Sequence, residues 1–312
     1  MRRWLVIVAS LAIVLALVKV VGFREVADTW RSVAPAAIAV SVLAYYASLA
    51  VRILAWRVLI GADSPPYRRL AGPLAIGFVL GHVAPAKSGE PVAALLAARA
   101  SGLPLSRTLS VLAAERGLQL LTLLATFLPA AARTAGSVLA VRSALPAAAV
   151  ALVLVLLGFL RAPALLAWLR PRLAALPRVG PGAARFADQL RALLLDRGRL
   201  VRLVPVGILF WTLQYVSLWA ILRGGGAAVN LIEAATVAGA AILGGTLTLL
   251  PLGTQDGISA LVLGGLGVPL ARGFSLALFH TALSLGCGAA LALIAPALAG
   301  RDTPATRREE TD

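Results

Sequence analysis

Charge is scarce in this sequence, and acidic charge scarcest. Only 13% of the 312 residues are Asp, Glu, Lys or Arg, with 13 acids against 29 bases, and 60% are hydrophobic. A soluble domain carries about 25% charged residues, and the mean hydropathy of +0.91 puts this chain far outside that class. The single cysteine, Cys287, excludes an internal disulfide framework. Two histidines with no acidic cluster beside them make no metal site, so no metal and no cofactor are expected. No phosphate-binding P-loop occurs, which removes ATP as a direct drive. The short alternating strands of a membrane barrel are missing too.

Long apolar runs are what the chain does have, several reaching the roughly 18–20 residues a helical span needs. The reading is an all-α integral membrane protein, a polytopic helical bundle. Its formal charge of +16 fits arginine-rich loops facing anionic lipid, with no need for nucleic acid. Arg2 and Arg3 precede a first apolar run, Trp4–Gly22, with no small-residue cleavage pattern after it, so it reads as a retained helix with a cytoplasmic N-terminus. A charge-balanced outer loop, 23–34, leads to a second span, about 35–60, whose Arg52 and Arg57 are expected to snorkel at its cytoplasmic end. Further spans are expected over 104–128, 144–160, 203–222 and 269–298. Residues 161–202 hold nine arginines and many Pro and Gly breakers, which predicts a cytoplasmic loop carrying one short amphipathic helix around Phe186, Leu190 and Leu193-Leu194. The tail, 301–312, reads as disordered. Trp4, Trp30, Tyr45, Tyr46, Trp56 and Trp211 read as aromatics of the membrane interface.

Two stretches are too short and too polar in the middle to cross. PAKSGEPVAALLAARASGLPLSRTLSVLAAERGL (85–118) recurs as PLGTQDGISALVLGGLGVPLARGFSLALFHTAL (251–283). Ser88 falls on Thr254 and Glu90 on Asp256; after one dropped residue Gly102 falls on Gly267, Arg107 on Arg272, and Glu115 on His280. Each copy reads as a re-entrant hairpin of two short helices about a polar break, at 84–90 and 253–257. Gly77 and Gly81 are placed for close helix approach. Charge balance sends the hairpins in from opposite sides, so the repeats (about 35–128 and 203–298) are inverted, and an offset of 166 lays the second span on 203–222. The architecture is about six spans plus four half-helices in a single domain, 1–300. Inverted halves with broken helices are a transporter design, with the site near the midplane.

That places candidate binding residues at the breaks. Lys87, Ser88, Gly89 and Glu90 open one short arm and Thr254, Gln255 and Asp256 the other, where free N–H groups suit an anion; Glu90 complementing that dipole itself is the alternative. Glu115 lies about 16 Å into its helix, near the midplane, as a head-group partner, a proton carrier, or half of a structural ion pair with Arg107 or Arg116. Arg116 points about 100° away from it, toward another helix or a lipid phosphate. His280 is a titratable or a packing group, and His82 reads the same way. Arg52 and Arg57 mark the mouth through which substrate arrives, or are anchors.

GHVAPAKSGEPVAALLAARASGLPLSRTLSVLAAERGL resembles the N-x-x-P-x-R-x-G-E … G … E-R signature of the lysylphosphatidylglycerol synthase transmembrane region, also called the flippase-like domain. LTLLPLGTQDGISALVLGGLGVP resembles its second signature, with Gln255-Asp256 where the family tends to have a basic residue and Glu; Lys87 and His82 stand where Arg and Asn are common. The resemblance covers about residues 5–298. It implies movement of polar-headed lipids between leaflets of the cell membrane, and no synthesis, since too few residues follow Leu298 for an aminoacyltransferase domain. The expected function is therefore a flippase and not an enzyme, its partners a phospholipid or other polar-headed lipid and the bilayer. A membrane enzyme on a polyprenyl- or phospholipid-linked substrate, and an accessory subunit of a glycosyl- or acyl-transferase, stay open, as does a homo-oligomer.

Overall fold

The computed structural model describes residues 19, 22–83, 89–136, 138–177, 179–246 and 251–299. The expected first span, Lys87, Ser88 and the tail lie outside them, apart from Lys19 and Gly22 of that span. Eleven helices and no strand occur among the described residues: α1 Phe23–Ser32, α2 Pro35–Ile60, α3 Tyr67–Val83, α4 Gly89–Ser101, α5 Leu105–Thr134, α6 Leu139–Ala174, α7 Gly180–Leu195, α8 Arg197–Gly224, α9 Leu231–Thr246, α10 Pro251–Gly265 and α11 Leu270–Ala299. Five of them, α2, α5, α6, α8 and α11, are long and apolar enough to cross a membrane. This is an all-α, multi-pass membrane protein.

Local chemistry sets the boundaries. Pro35 starts α2, where a missing N–H costs nothing. Gly61 ends it at φ 85°, donating its N–H to the Arg57 carbonyl, and Gly226 closes α8 in the same region at φ 79°. Gly102 and Gly267, at φ 73° and 85°, stop α4 and α10 at matched places. The pairing of Gly61 with Gly226 sets the α2–α8 register at 165 residues, one fewer than the sequence alignment of these spans suggests.

The repeat is inverted. Ala34 takes the Gly224 carbonyl at 3.1 Å, Ser41 Oγ meets Ser217 Oγ at 2.9 Å, Gln214 Nε2 donates to Ser48 Oγ at 2.8 Å, and Arg199 Nη1 donates to the Leu59 carbonyl at 3.2 Å. As residue number rises along α2 it falls along α8, so these equivalent helices run antiparallel. The same contacts recur in each half. Arg107 Nη2 donates to the Ile60 carbonyl at 2.7 Å, and Arg272 Nε to the Gly225 carbonyl at 3.0 Å, each across 47 residues. Both guanidiniums take up carbonyls left free at a helix end and lie at its negative pole.

The short helices form two hairpins, α3–α4 and α9–α10. Glycine makes them tight. A Cβ on Gly77 would overlap that of Ala93, one on Gly89 would strike the backbone at Leu80–Gly81, and one on Gly245 would strike the Gln255 side chain. Gly81 is different: nothing lies near its missing Cβ, and it opens on a cavity.

Four expectations need correction. Residues 23–34 are not all loop: Val26 and Trp30, one helical turn apart, dock α1, and Trp30 Nε1 donates to the Ser275 carbonyl at 2.9 Å. Pro163 and Pro171 do not end the fourth span, because α6 runs through both to Ala174; a membrane helix tolerates proline where the freed carbonyl finds other partners. The expected amphipathic helix is α7, but its apolar side, with Leu193 and Leu194, is buried in the protein, and Asp188 ties it to Arg170 on α6 at 2.8 Å. The polar stretch 253–257 is likewise no break. It forms the first turns of α10, where Asp256 Oδ2 accepts the Gly253 N–H at 3.2 Å.

Candidate functional site

A cavity of about 170 Å³ lies between the halves, and both hairpins wall it. Repeat one contributes Arg52 from α2, His82 from α3, Glu90 from α4 and Arg116 from α5. Repeat two contributes Gln214 from α8, Gln255 and Asp256 from α10, and His280 and Thr281 from α11. Glu90 and Asp256, matched in the sequence repeat, thus face one space. Phe78, Phe210, Trp211 and Leu218 supply its apolar wall.

Behind the repeat-one wall sits a buried ionic cluster. Glu115 is 2% exposed and Arg52 4%. Arg52 Nε donates to Glu115 Oε1 at 2.7 Å and Nη2 to Oε2 at 3.2 Å, a two-pronged pair. Trp56 Nε1 donates to Oε2 at 2.7 Å and Gln119 Nε2 to Oε1 at 2.9 Å. Gln119 Oε1 in turn accepts Arg116 Nη1 at 2.5 Å, and Arg116 Nε lies 2.8 Å from Glu90 Oε2. Two guanidiniums and two carboxylates share the cluster, and Arg116 stays about one third exposed toward the cavity. Buried charges are tolerated when paired and hydrogen-bonded in this way.

Repeat two keeps the geometry and changes the chemistry. His280 Nε2 meets Ser217 Oγ at 3.1 Å across 63 residues, the separation of the Arg52–Glu115 pair. Asp256 Oδ1 accepts the Thr281 hydroxyl at 2.7 Å, where Glu90 has Arg116.

The candidate residues therefore divide. Glu90, Arg116, Gln255, Asp256, His280 and Arg52 come together on the cavity. Arg52 belongs to its inner wall and is buried, so it is no snorkelling anchor. Arg57 is elsewhere, its guanidinium 4.5 Å above the Tyr67 ring. Glu115 lines a much smaller void of about 20 Å³ on the far side of Arg52; its partner is Arg52, and neither Arg107 nor Arg116. Gly89 is a packing residue against Leu80, and Thr254 stands outside the residues that line the cavity. His82 does line it, donating Nδ1–H to the Phe78 carbonyl at 3.0 Å. Trp56, Tyr45 and Trp211 are buried, not interfacial: Trp56 is fully enclosed and Trp211 Nε1 donates to the Gln119 carbonyl at 2.8 Å. Sequence reasoning missed Gln119, Ser48 and Gln214. A signal existed, since Gln119 follows Glu115 by four residues on one helix face and Gln214 interrupts an apolar span. No group of three or more His, Cys, Asp or Glu side chains gathers among the described residues.

The sequence profile of the lysylphosphatidylglycerol synthase transmembrane region matches residues 4–292. The chain belongs to this family. A similar curated protein is the UPF0104 membrane protein of Methanothermobacter thermautotrophicus, 25% identical over 284 aligned residues that cover 81% of this chain and 82% of the relative. No solved structure matches. In the terms of the family signatures, the E-R pair is Glu115-Arg116, and the two residues face different ways: Glu115 into the bundle against Arg52, Arg116 toward Glu90 and the cavity.

Proposed function

We propose that this protein is a lipid translocase: it carries the polar head group of a phospholipid or related lipid between the leaflets of the cell membrane while the acyl tails stay in the hydrocarbon, and it does no chemistry on the lipid. The observation that carries this reading is the shared cavity, bearing polar and charged groups on a partly apolar wall, formed where two oppositely oriented hairpins meet inside an apolar bundle. Its volume of about 170 Å³ is below the roughly 300–1,000 Å³ of sites that enclose a whole small ligand. It suits a head-group moiety and not a lipid with its tails. Arg116 is the group placed for a phosphate, since its charge reaches the cavity and is only partly spent on Glu90. We further propose cytoplasmic termini, from the arginine-rich 161–202 region.

The test is translocation of head-group-labelled phospholipid by the purified protein in liposomes. Wild-type protein is expected to move the label across, and Arg116→Gln and Glu90→Gln to reduce the rate at least tenfold. Undiminished transport in both variants would remove the cavity from the route. Turnover of the lipid would favour a membrane enzyme in its place, and neither transport nor turnover an accessory subunit.

A further inference from the structure

The two repeats place an acid at matched positions on their short arms but balance it differently. Glu90 has a guanidinium 2.8 Å away. Asp256 has none. Among the described residues its side chain accepts from the Thr281 hydroxyl and the Gly253 N–H and makes no ion pair, although it is 2% exposed. Neutral donors alone, the Asp256 backbone N–H among them, leave one negative charge uncompensated at a depth where an isolated carboxylate is costly.

We infer that Asp256, with Thr281, forms a binding site for one small cation. The other charged groups around the space support the assignment. His280, from α11, is turned to Ser217, and His82, from α3, to the Phe78 carbonyl. Arg52, Glu90 and Arg116 of the first repeat are engaged with one another and with Glu115. The side chains that α9 contributes to the cavity are apolar, and α6 contributes none. Of the described acids at the cavity and in the cluster behind it, Glu115 and Glu90 already have their counter-charges, so Asp256 is the one that needs a mobile one. It lines the cavity with only 2% of its surface exposed, which favours a small cation over a bulky ammonium head group. The ligand is a proton or a bare monovalent metal ion, with the Thr281 oxygen, and the Ser259 and Ser284 hydroxyls that line the same cavity, as further oxygens for a metal. Under the transport reading, on which this second step rests, this is where a cation gradient would be coupled to lipid movement.

The repeat itself suggests the decisive variant. Thr281→Arg copies into repeat two the arrangement that Arg116 gives repeat one and supplies the cation from within. Binding is measured on purified protein in lipid nanodiscs, as radioactive sodium bound at fixed pH and, without sodium, as proton uptake with a pH dye. Wild-type protein is expected to take up close to one equivalent of one of these. Asp256→Asn and Thr281→Arg are both expected to lose that equivalent, with Thr281→Arg still folded by circular dichroism and gel filtration. Saturable uptake that survives in both variants, or no uptake of either ion by wild-type protein, overturns the site. In liposomes, wild-type lipid flux should rise when a gradient of the bound ion is imposed, and both variants should lose that response. Cation binding at Asp256 without any lipid movement would sink the transport reading and leave the site standing. Lipid movement with the cation equivalent unchanged in Asp256→Asn would do the reverse.

Discussion

Replacing Glu115 by Leu should be among the most damaging single changes in this protein. The change strands the Arg52 guanidinium, held to the carboxylate by donors at 2.7 and 3.2 Å, and also frees the Trp56 Nε1–H and the Gln119 amide. Removing one partner of a buried ion pair costs about 3–5 kcal/mol. That corresponds to a fall of about 150- to 5,000-fold in the ratio of folded to unfolded protein. Arg52→Leu should cost a similar amount, since it leaves a carboxylate 2% exposed with only neutral donors. The double variant, Arg52→Leu with Glu115→Leu, should be less costly than either alone, because apolar groups replace both charges. The assay is denaturant-detergent unfolding followed by tryptophan fluorescence, in which Trp56 reports on the cluster directly. A single-variant loss below about 1 kcal/mol, the range of exposed pairs, would refute the buried pair. So would a double variant whose loss equals the sum of the singles, which is the outcome for residues that do not touch.

Three further outcomes follow from the geometry. Arg107→Ala and Arg272→Ala should each cost about 1.5–3 kcal/mol, as expected for a charged donor to a carbonyl, and equilibrium unfolding should show Arg272→Ala the costlier, because it removes two donors where Arg107→Ala removes one. Gly245→Leu should abolish stable expression in membranes, since a side chain there meets Gln255 across the second hairpin, whereas Gly81→Ala should be accepted without loss, as its site is open. In a Cys287→Ala background, Ser41→Cys with Ser217→Cys should cross-link under mild oxidation, because the two hydroxyls are 2.9 Å apart; absence of the cross-link on a denaturing gel would argue against the antiparallel α2–α8 pair.

Much of this design could be read from the residues, and the failures share one cause. The hairpins are legible because polar residues inside short apolar runs are rare, although 253–257 is helical and makes no break, and the repeat is legible because Gly102, Arg107 and their counterparts do matching jobs at helix ends. What sequence could not show was which face of an apolar helix turns inward. In a membrane both lipid and core accept Leu and Trp, so the hydrophobic stripe that orients a soluble helix is absent. Trp56 and Tyr45 therefore read as interfacial from sequence although they are buried, and Arg52 reads as lying at a helix end although it is inside. Proline misled for a related reason. Pro163 would end most soluble helices, yet α6 passes through it.

The hydrogen bond between Ser48 and Gln214 joins positions that the repeat makes nearly equivalent, so it lies close to the two-fold axis. Suppose the molecule alternates by letting its halves exchange shapes. Every contact away from the axis then has two lives, one in each orientation, while this one maps almost onto itself, one residue along each helix. It is the natural fulcrum. A defect there would weigh on both orientations alike and leave their populations unchanged, whereas a defect at Glu90 or Asp256 would tilt the balance toward one side of the membrane.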